Sequence, residues 1–221
     1  MSVIAPTGAG KSTFLDGIIM LRRYALGLDP KGGDETLNAL GWPRLPRWPG
    51  RKKMAELVAD NDEHGRPSRY IVGQIVESTA DLAALRQTLA TCLQDIFDMG
   101  RWTVLVDELQ LLTDRRMMDL SGPVARILVA ARSKKLTLVS AFQTPSWVPT
   151  EAIRQPYWIA TSYTRDTDTV NRMAEVMGRP KPELRGAVKG LPDYYWLIVG
   201  RSPREPMILT KPPYIEPKRA A

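Results

Sequence analysis

The chain has 221 residues, 43% of them hydrophobic and 25% charged, which suits a soluble α/β protein with a sizeable core rather than a disordered or fibrous one. No run approaches the roughly 18 apolar residues of a membrane helix, the first residues lack the pattern of a secretion signal, and a single cysteine, Cys92, excludes a disulfide framework or a Cys-based zinc site. The net charge of +7, with a pI near 9.6, suits a polyanionic partner without naming one.

Residues 2–5 form a short apolar run ending in a glycine-rich turn, and the spacing of Phe14, Leu15, Ile18, Ile19 and Leu21 predicts a helix from Lys11. Residues 24–28 read as a buried strand that ends at Asp29-Pro30. The Gly- and Pro-rich stretch 30–53 reads as a loop excursion with a short helix around 35–40. A short helical piece over 54–59 follows, then a polar loop over 60–68 holding the lone histidine, His64, which by itself makes no metal site. A strand falls within 69–76. Residues 81–99 predict a long helix with Leu82, Leu85, Leu89, Leu93, Ile96 and Phe97 on one face, and Cys92 within it as a buried, inert thiol.

The continuous apolar run 102–107 predicts a strand buried on both faces of a parallel sheet. A helix over 124–132, a strand over 136–140, a strand over 157–163, a helix over 166–177 and late strands over 194–199 and 207–209 complete the pattern. Strands alternating with helices predict an open, mostly parallel, three-layer α/β sheet. One domain is expected over 1–210, with a basic, proline-rich tail over 211–221.

Two segments carry chemistry. Ala5-Pro-Thr-Gly-Ala-Gly-Lys-Ser-Thr13 follows a strand and opens a helix, the setting a phosphate-binding loop needs. Gly8 and Gly10 let backbone N–H groups turn inward, and the helix adds its positive end. Pro6, Thr7, Gly8, Ala9, Gly10, Lys11, Ser12 and Thr13 therefore form the expected nucleotide cradle. Lys11 would reach the β- and γ-phosphates and the Ser12 hydroxyl would hold Mg²⁺. The leading glycine usual in such loops is Ala5 here. Val104-Leu-Val-Asp-Glu108 puts two carboxylates at the end of a buried strand, Asp107 to order the Mg²⁺ shell and Glu108 to activate water as general base. As a bare pattern the first could occur by accident in an unrelated loop, which its strand–turn–helix setting argues against, and the second alone reads as a solvated acidic turn; together they predict an ATPase that uses ATP and Mg²⁺. No Asn-Lys-x-Asp guanine-reading motif is present, and a Glu directly after the strand Asp is seldom found in small nucleotide kinases.

Leu28-Asp-Pro-Lys-Gly-Gly-Asp34 ends the second strand, and Ala131-Arg-Ser-Lys-Lys-Leu-Thr-Leu-Val-Ser-Ala-Phe-Gln-Thr-Pro-Ser146 spans the fourth. With the two nucleotide motifs, and in the same order, these resemble the FtsK/HerA superfamily of DNA-pumping ATPases up to about residue 165. The resemblance implies a RecA-like P-loop NTPase, with Gln143 as a catalytic sensor at a strand tip beside Glu108. It implies a ring of copies, usually a hexamer, with an arginine supplied by the neighbour to stabilise charge on the transferring phosphoryl group. Arg132 falls on the family's basic position; Arg154, Arg126 and Arg165 are further candidates, with plain surface solvation the alternative for each. Asp29 and Lys31 match the family's strand-end element, either touching nucleotide or shaping the sheet edge.

Little precedes the phosphate loop, so no N-terminal partner or membrane domain and no barrel like HerA's is expected; with only about 55 residues after residue 165, neither is the winged helix that follows the motor in chromosome translocases. A bare motor of this length resembles the genome-packaging ATPases of membrane-containing, tailless viruses. That resemblance implies a double-stranded DNA translocase that loads a preformed capsid, working in the host cytoplasm or at a virion vertex beside a capsid or membrane protein. A plasmid or conjugative DNA transfer or segregation ATPase, and a protein-moving assembly or secretion ATPase, stay open. Two segments are candidates for non-specific DNA contact. Residues 42–53 hold Arg44, Arg47, Arg51, Lys52 and Lys53 with Trp42 and Trp48 interleaved, which reads also as a solvated loop pinned by its tryptophans. Residues 144–150 follow directly after Gln143.

Overall fold

The computed structural model describes residues 1–212. The chain forms β1 (Ser2–Ile4), α1 (Lys11–Ile19), β2 (Tyr24–Leu28), α2 (Glu35–Ala39), β3 (Arg44–Leu45), α3 (Arg51–Glu63), β4 (Ser68–Val72) and α4 (Thr79–Met99). It continues with β5 (Thr103–Val106), α5 (Leu109–Thr113), α6 (Ser121–Lys134), β6 (Thr137–Phe142), a 3-10 turn over Pro145–Trp147 and α7 (Glu151–Arg154). Last come β7 (Trp158–Thr161), α8 (Thr167–Val176), α9 (Lys181–Lys189), β8 (Trp196–Gly200) and β9 (Ile208–Thr210).

Among the described residues the strands form one nine-stranded sheet in the order β3-β4-β2-β5-β6-β1-β7-β8-β9. Pairing is parallel from β3 through β7, and β8 and β9 add antiparallel to that edge. The pleat sends alternate side chains to opposite faces. Val3, Ala25, Leu105 and Val139 face Phe14, Leu15 and Ile19 of α1 and Leu37 of α2. Ile4, Leu26, Val104 and Leu138 face the larger layer, to which α4 contributes Leu85, Leu89, Cys92, Leu93, Ile96 and Phe97. Each such side chain contributes about 1.5–3 kcal/mol on full burial, so α4 is fixed by its stripe. Ser78 caps it, accepting from the Asp81 N–H, and burial pushes the Cys92 thiol well above its ordinary range. This is the mostly parallel, three-layer α/β architecture the pattern predicts.

Differences from the sequence reading have local causes. The helical piece expected over 54–59 runs instead from Arg51 to Glu63, taking in part of the expected 60–68 loop. Only Met54 is buried in it, so no apolar stripe announces its length; Asn61 bonds Ser68 and Tyr70 of β4, and Asp62 accepts from Arg23 and Tyr24. His64 lies exposed at its C-terminal cap. The two-residue β3 hides between prolines and pairs with β4. Helices α5, α7 and α9 are short and were not apparent from periodicity. Leu21, expected on the buried stripe of α1, lies beyond the helix and is 84% exposed. Tyr194, expected in a strand, stands in a turn before β8. Of the expected tail, Lys211 and Pro212 are within the described residues and 213–221 lie outside them.

Candidate active site

All the parallel strands end on one rim, and β6 lies between β1 and β5. The loops after β1, β2, β5 and β6 therefore converge there, the position where open α/β sheets bind ligands. They enclose an open cavity of ≈ 490 Å³ lined by Thr7, Gly8, Gly10, Lys11, Ser12, Thr13, Lys31, Thr36, Asp107, Glu108, Phe142 and Gln143. Seven of the sequence-predicted residues outside the loop's own turn, from Lys11 to Gln143, thus meet at one place: Lys11, Ser12, Thr13, Asp107, Glu108, Gln143 and the strand-end Lys31.

Gly8 and Gly10 take left-handed backbone angles, φ 80° and 78°, that an L side chain rarely adopts, and Gly10 is the N-cap of α1. Lys11 folds back over the loop, its Nζ donating to the carbonyls of Ala5 (3.0 Å) and Pro6 (2.9 Å). Burial lowers the pKa of its amine, opposed by the carboxylates of Asp107 and Glu108. The Ser12 hydroxyl donates to Asp107 Oδ2 at 2.8 Å. Burial raises the Asp107 carboxyl above its ordinary range, against the Ser12 bond that lowers it. This hydroxyl–carboxylate pair offers the hard oxygen donors that Mg²⁺ takes, together with water and phosphate. Among the described residues no cluster of three or more His, Cys, Asp or Glu offers another metal site.

Glu108 is held from both sides. Lys31 Nζ lies 2.7 Å from its Oε2 and 3.3 Å from Asp34 Oδ2, while Gln110 Nε2 donates to its Oε1 at 3.2 Å. Burial alone would lower the Lys31 pKa, but Glu108 and Asp34 outweigh it and raise it. Asp34 feels burial upward, and Lys31 and the Thr36 N–H bring it below the ordinary carboxylate range.

Asp29 does not reach the cavity. Wholly buried, it accepts the N–H groups of Lys31 and Gly32 on Oδ1, and those of Gly33 and Asp34 with Arg44 Nη1 on Oδ2, at 2.8–3.1 Å. Gly32, at φ 73°, must be glycine, since a Cβ there would collide with the Gln74 carbonyl. Asp29 thus shapes the turn, and the turn aims Lys31 at Glu108. The pair follows from the register: Leu28 pairs with Val106, which brings the turns beyond the two strand ends together.

Asp16 of α1 was not singled out by sequence. Burial first, then the carboxylates of Asp107 and Asp34, push its carboxyl up to about 7.

None of the four candidate arginines lines the phosphate cavity of its own chain. Arg132 borders a separate cavity with Thr137, Tyr157 and Arg201, at the opposite end of the strands. Arg126 lies 4.0 Å over the Phe97 ring and bonds Gln94. Arg154 borders a cleft with Asp168 and Arg172, and exposed Arg165 sits beside Tyr163 on the phosphate rim. In the basic 42–53 segment, Trp48 Nε1 donates to Asp95 at 2.7 Å, Arg44 is committed to Asp29, and Arg51 and Lys53 face Asp98 and Glu56. Trp42 packs on the smaller core layer, with Arg69 5.9 Å from its ring. Beyond Gln143, the 3-10 turn leaves Trp147 63% exposed. Among the described residues no helix is long and apolar enough to cross a membrane.

No protein-family model matches the chain, and no curated protein matches it. Solved structures do. The genome packaging NTPase B204 from Sulfolobus turreted icosahedral virus 2, in complex with sulfate, aligns over 96% of this chain and 96% of its own at 16% identity and TM-score 0.63. VirB4 of Thermoanaerobacter pseudethanolicus aligns over 97% of this chain and 89% of its own at 12% identity and TM-score 0.61. The plasmid coupling protein TrwB, in complex with the ATP analogue ADPNP, aligns over 96% of this chain and 84% of its own at 11% identity and TM-score 0.60. The fold of this chain is therefore the one that these three structures share.

Proposed function

We propose that this chain is one subunit of an ATP-hydrolysing, double-stranded DNA translocase, and that it packages a viral genome into a preformed capsid. The observation that carries the ATPase reading is the Ser12–Asp107 hydrogen bond, beside Glu108 and under Lys11, on the rim of one cavity. The packaging reading is supported by the end-to-end likeness to a genome packaging NTPase that has also been solved with AMPPCP and with ATP-gammaS. A plasmid-transfer ATPase is the second reading, favoured by the likeness to the coupling protein TrwB.

The turn of Gly8 and Gly10 and the first amides of α1 receive the phosphates. Lys11 leaves the carbonyls of Ala5 and Pro6 for the β- and γ-phosphate oxygens, which replace them as acceptors. Ser12 and Asp107 hold Mg²⁺, whose charge offsets that of the phosphates when bound. Glu108 takes a proton from a water as that water's oxygen bonds the γ-phosphorus and the bond to the β-phosphate oxygen breaks, giving ADP and phosphate. Gln143, at the tip of β6, lies where it reports the γ-phosphate to residues 144–150. Those residues, with exposed Trp147 and their place directly after Gln143, are the better candidate for a moving DNA contact than 42–53, where Arg44, Arg51 and Lys53 meet acidic groups of the chain. Copies of the motor domain, residues 1–210, assemble as a ring, probing each other's sites with an arginine; Arg126, Arg132, Arg154 and Arg165 are all exposed, and Arg132, on the family's basic position, is the first candidate.

The test is steady-state ATP hydrolysis with and without long double-stranded DNA across a salt series. Stimulation that fades with salt is expected, since phosphate contacts release counterions. Turnover indifferent to DNA at every salt would remove the translocase reading and leave an ATPase that moves protein.

A further inference from the structure

The phosphate cavity has two flanks. Lys31, Glu108 and Gln143 stand on the side of β2, β5 and β6, so the reacting end of a nucleotide faces that way. The rest of the molecule must leave across the other side of the loop, toward β7 and β8. There β8 enters the sheet antiparallel, with Leu197 opposite Thr161 at the end of β7, so the turn that precedes it shares the rim with the phosphate loop.

That turn is built around three aromatic residues with different fates. Trp196 is wholly buried and stacked on Phe14 of α1, with centroids 4.5 Å apart and planes 19° apart, which ties the turn to the helix that begins at the phosphates. Tyr195 is half-buried against the larger core layer. Tyr194 is 65% exposed and takes a left-handed backbone, φ 63°, which a bulky side chain seldom does. Its ring carbon Cδ1 lies 3.9 Å from the place where a Cβ on Gly10 would stand. An unfavourable backbone thus carries a large aromatic ring to the nucleoside side of the phosphate loop, outside the phosphate cavity itself. Strain kept in this way at a ligand's edge points to use.

We propose that Tyr194 is the base platform of this site: its ring stacks on the adenine of ATP and so contributes nucleoside affinity that the phosphate loop lacks. This rests on the ATP reading above. A flat ring offers a π-face and no reading of base edges, so the contact serves the base generally rather than choosing among purines.

The experiment compares binding of ATP and of inorganic tripolyphosphate, each with Mg²⁺, to the full chain and to its Tyr194→Gly, Tyr194→Phe and Lys11→Ala variants. Tyr194→Gly removes the ring while relieving the backbone, so its melting temperature should equal or exceed that of the parent. Its ATP affinity should fall by about 5- to 150-fold, the range a stacked base gains, with tripolyphosphate affinity unchanged and Tyr194→Phe binding like the parent. Equal ATP affinity in Tyr194→Gly, or an equal loss for tripolyphosphate, overturns the platform while Lys11-dependent binding leaves the ATP reading intact. Failure of the parent chain to bind either ligand, or binding indifferent to Lys11→Ala, overturns both.

Discussion

Two stretches of this chain are rich in charged residues, and they use charge in opposite ways. On the phosphate rim, Lys11 is held by two backbone carbonyls alone, and Asp107 by a neutral hydroxyl. These partners are easily exchanged for phosphate and metal. In the 42–53 segment, Arg44 is closed onto a wholly buried carboxylate, and Trp48, Arg51 and Lys53 each meet an acidic group of the chain. Lys11 and Asp107 thus face weak neutral partners that ligands can replace, whereas Arg44 faces a buried counter-charge and holds the fold; Glu108 stands between the two cases, on the cavity and paired with half-exposed Lys31. Composition cannot separate the two, because it does not say who stands opposite.

The comparison can be broken most forcefully at Arg44. If that residue is structural, Arg44→Ala leaves Asp29 buried without its cation and should cost on the order of 3 kcal/mol of stability, read by urea unfolding. A variant that folds as stably as the parent but binds DNA less well would return the segment to the DNA-binding side. Lys31 tests the opposite half. Removing the amine from Glu108 and Asp34 should lower kcat about tenfold, roughly 1.4 kcal/mol of barrier, with KM little changed. A rise in KM alone would mean that Lys31 binds substrate rather than orienting Glu108.

Asp16 gives the smallest effect and the sharpest sign. Its folded-state carboxyl, near 7, stands above the ordinary 3.8, so the folded chain holds the extra proton between those values. The stability this contributes is complete below pH 3.8 and is lost as pH rises through about 7. In metal-free protein, Asp16→Asn should therefore gain on the parent as pH rises from 4 to 8, by about 1 kcal/mol once partial exposure and screening are allowed for. Thermal melts that stay parallel across that range would contradict it.

The legible parts of the molecule are those where sequence fixes neighbours locally. Gly8-Ala-Gly-Lys-Ser12 dictates a left-handed turn into a helix, and an apolar run ending in Asp107-Glu108 dictates a buried strand with carboxylates at its tip. Both formed where expected, and the rim brought them together. Long amphipathic α4 was equally readable from its stripe. Helix α3 was not, because it buries little and its polar run reads as loop. Lys31 and Glu108 lie 2.7 Å apart but belong to separate strands, so their pairing needs the β2–β5 register, which no local pattern supplies. Asp29 was seen with two parts open, and sequence could not choose between them: four backbone donors and Arg44 converge on it only once the turn is closed. Tyr194 was hidden for the reverse reason, since Tyr-Tyr-Trp before an apolar run has every mark of a strand.

The most direct test of the central claim is a paired measurement on Glu108→Gln: equilibrium binding of ATP with Mg²⁺, and single-turnover release of phosphate. The geometry predicts binding close to the parent chain, because Lys11, Ser12 and Asp107 are untouched, and hydrolysis lowered by about 10²- to 10⁴-fold, the contribution of a positioned general base. Hydrolysis at the parent rate, with binding intact, would mean that Glu108 is not the base and that the cavity has been assigned the wrong chemistry.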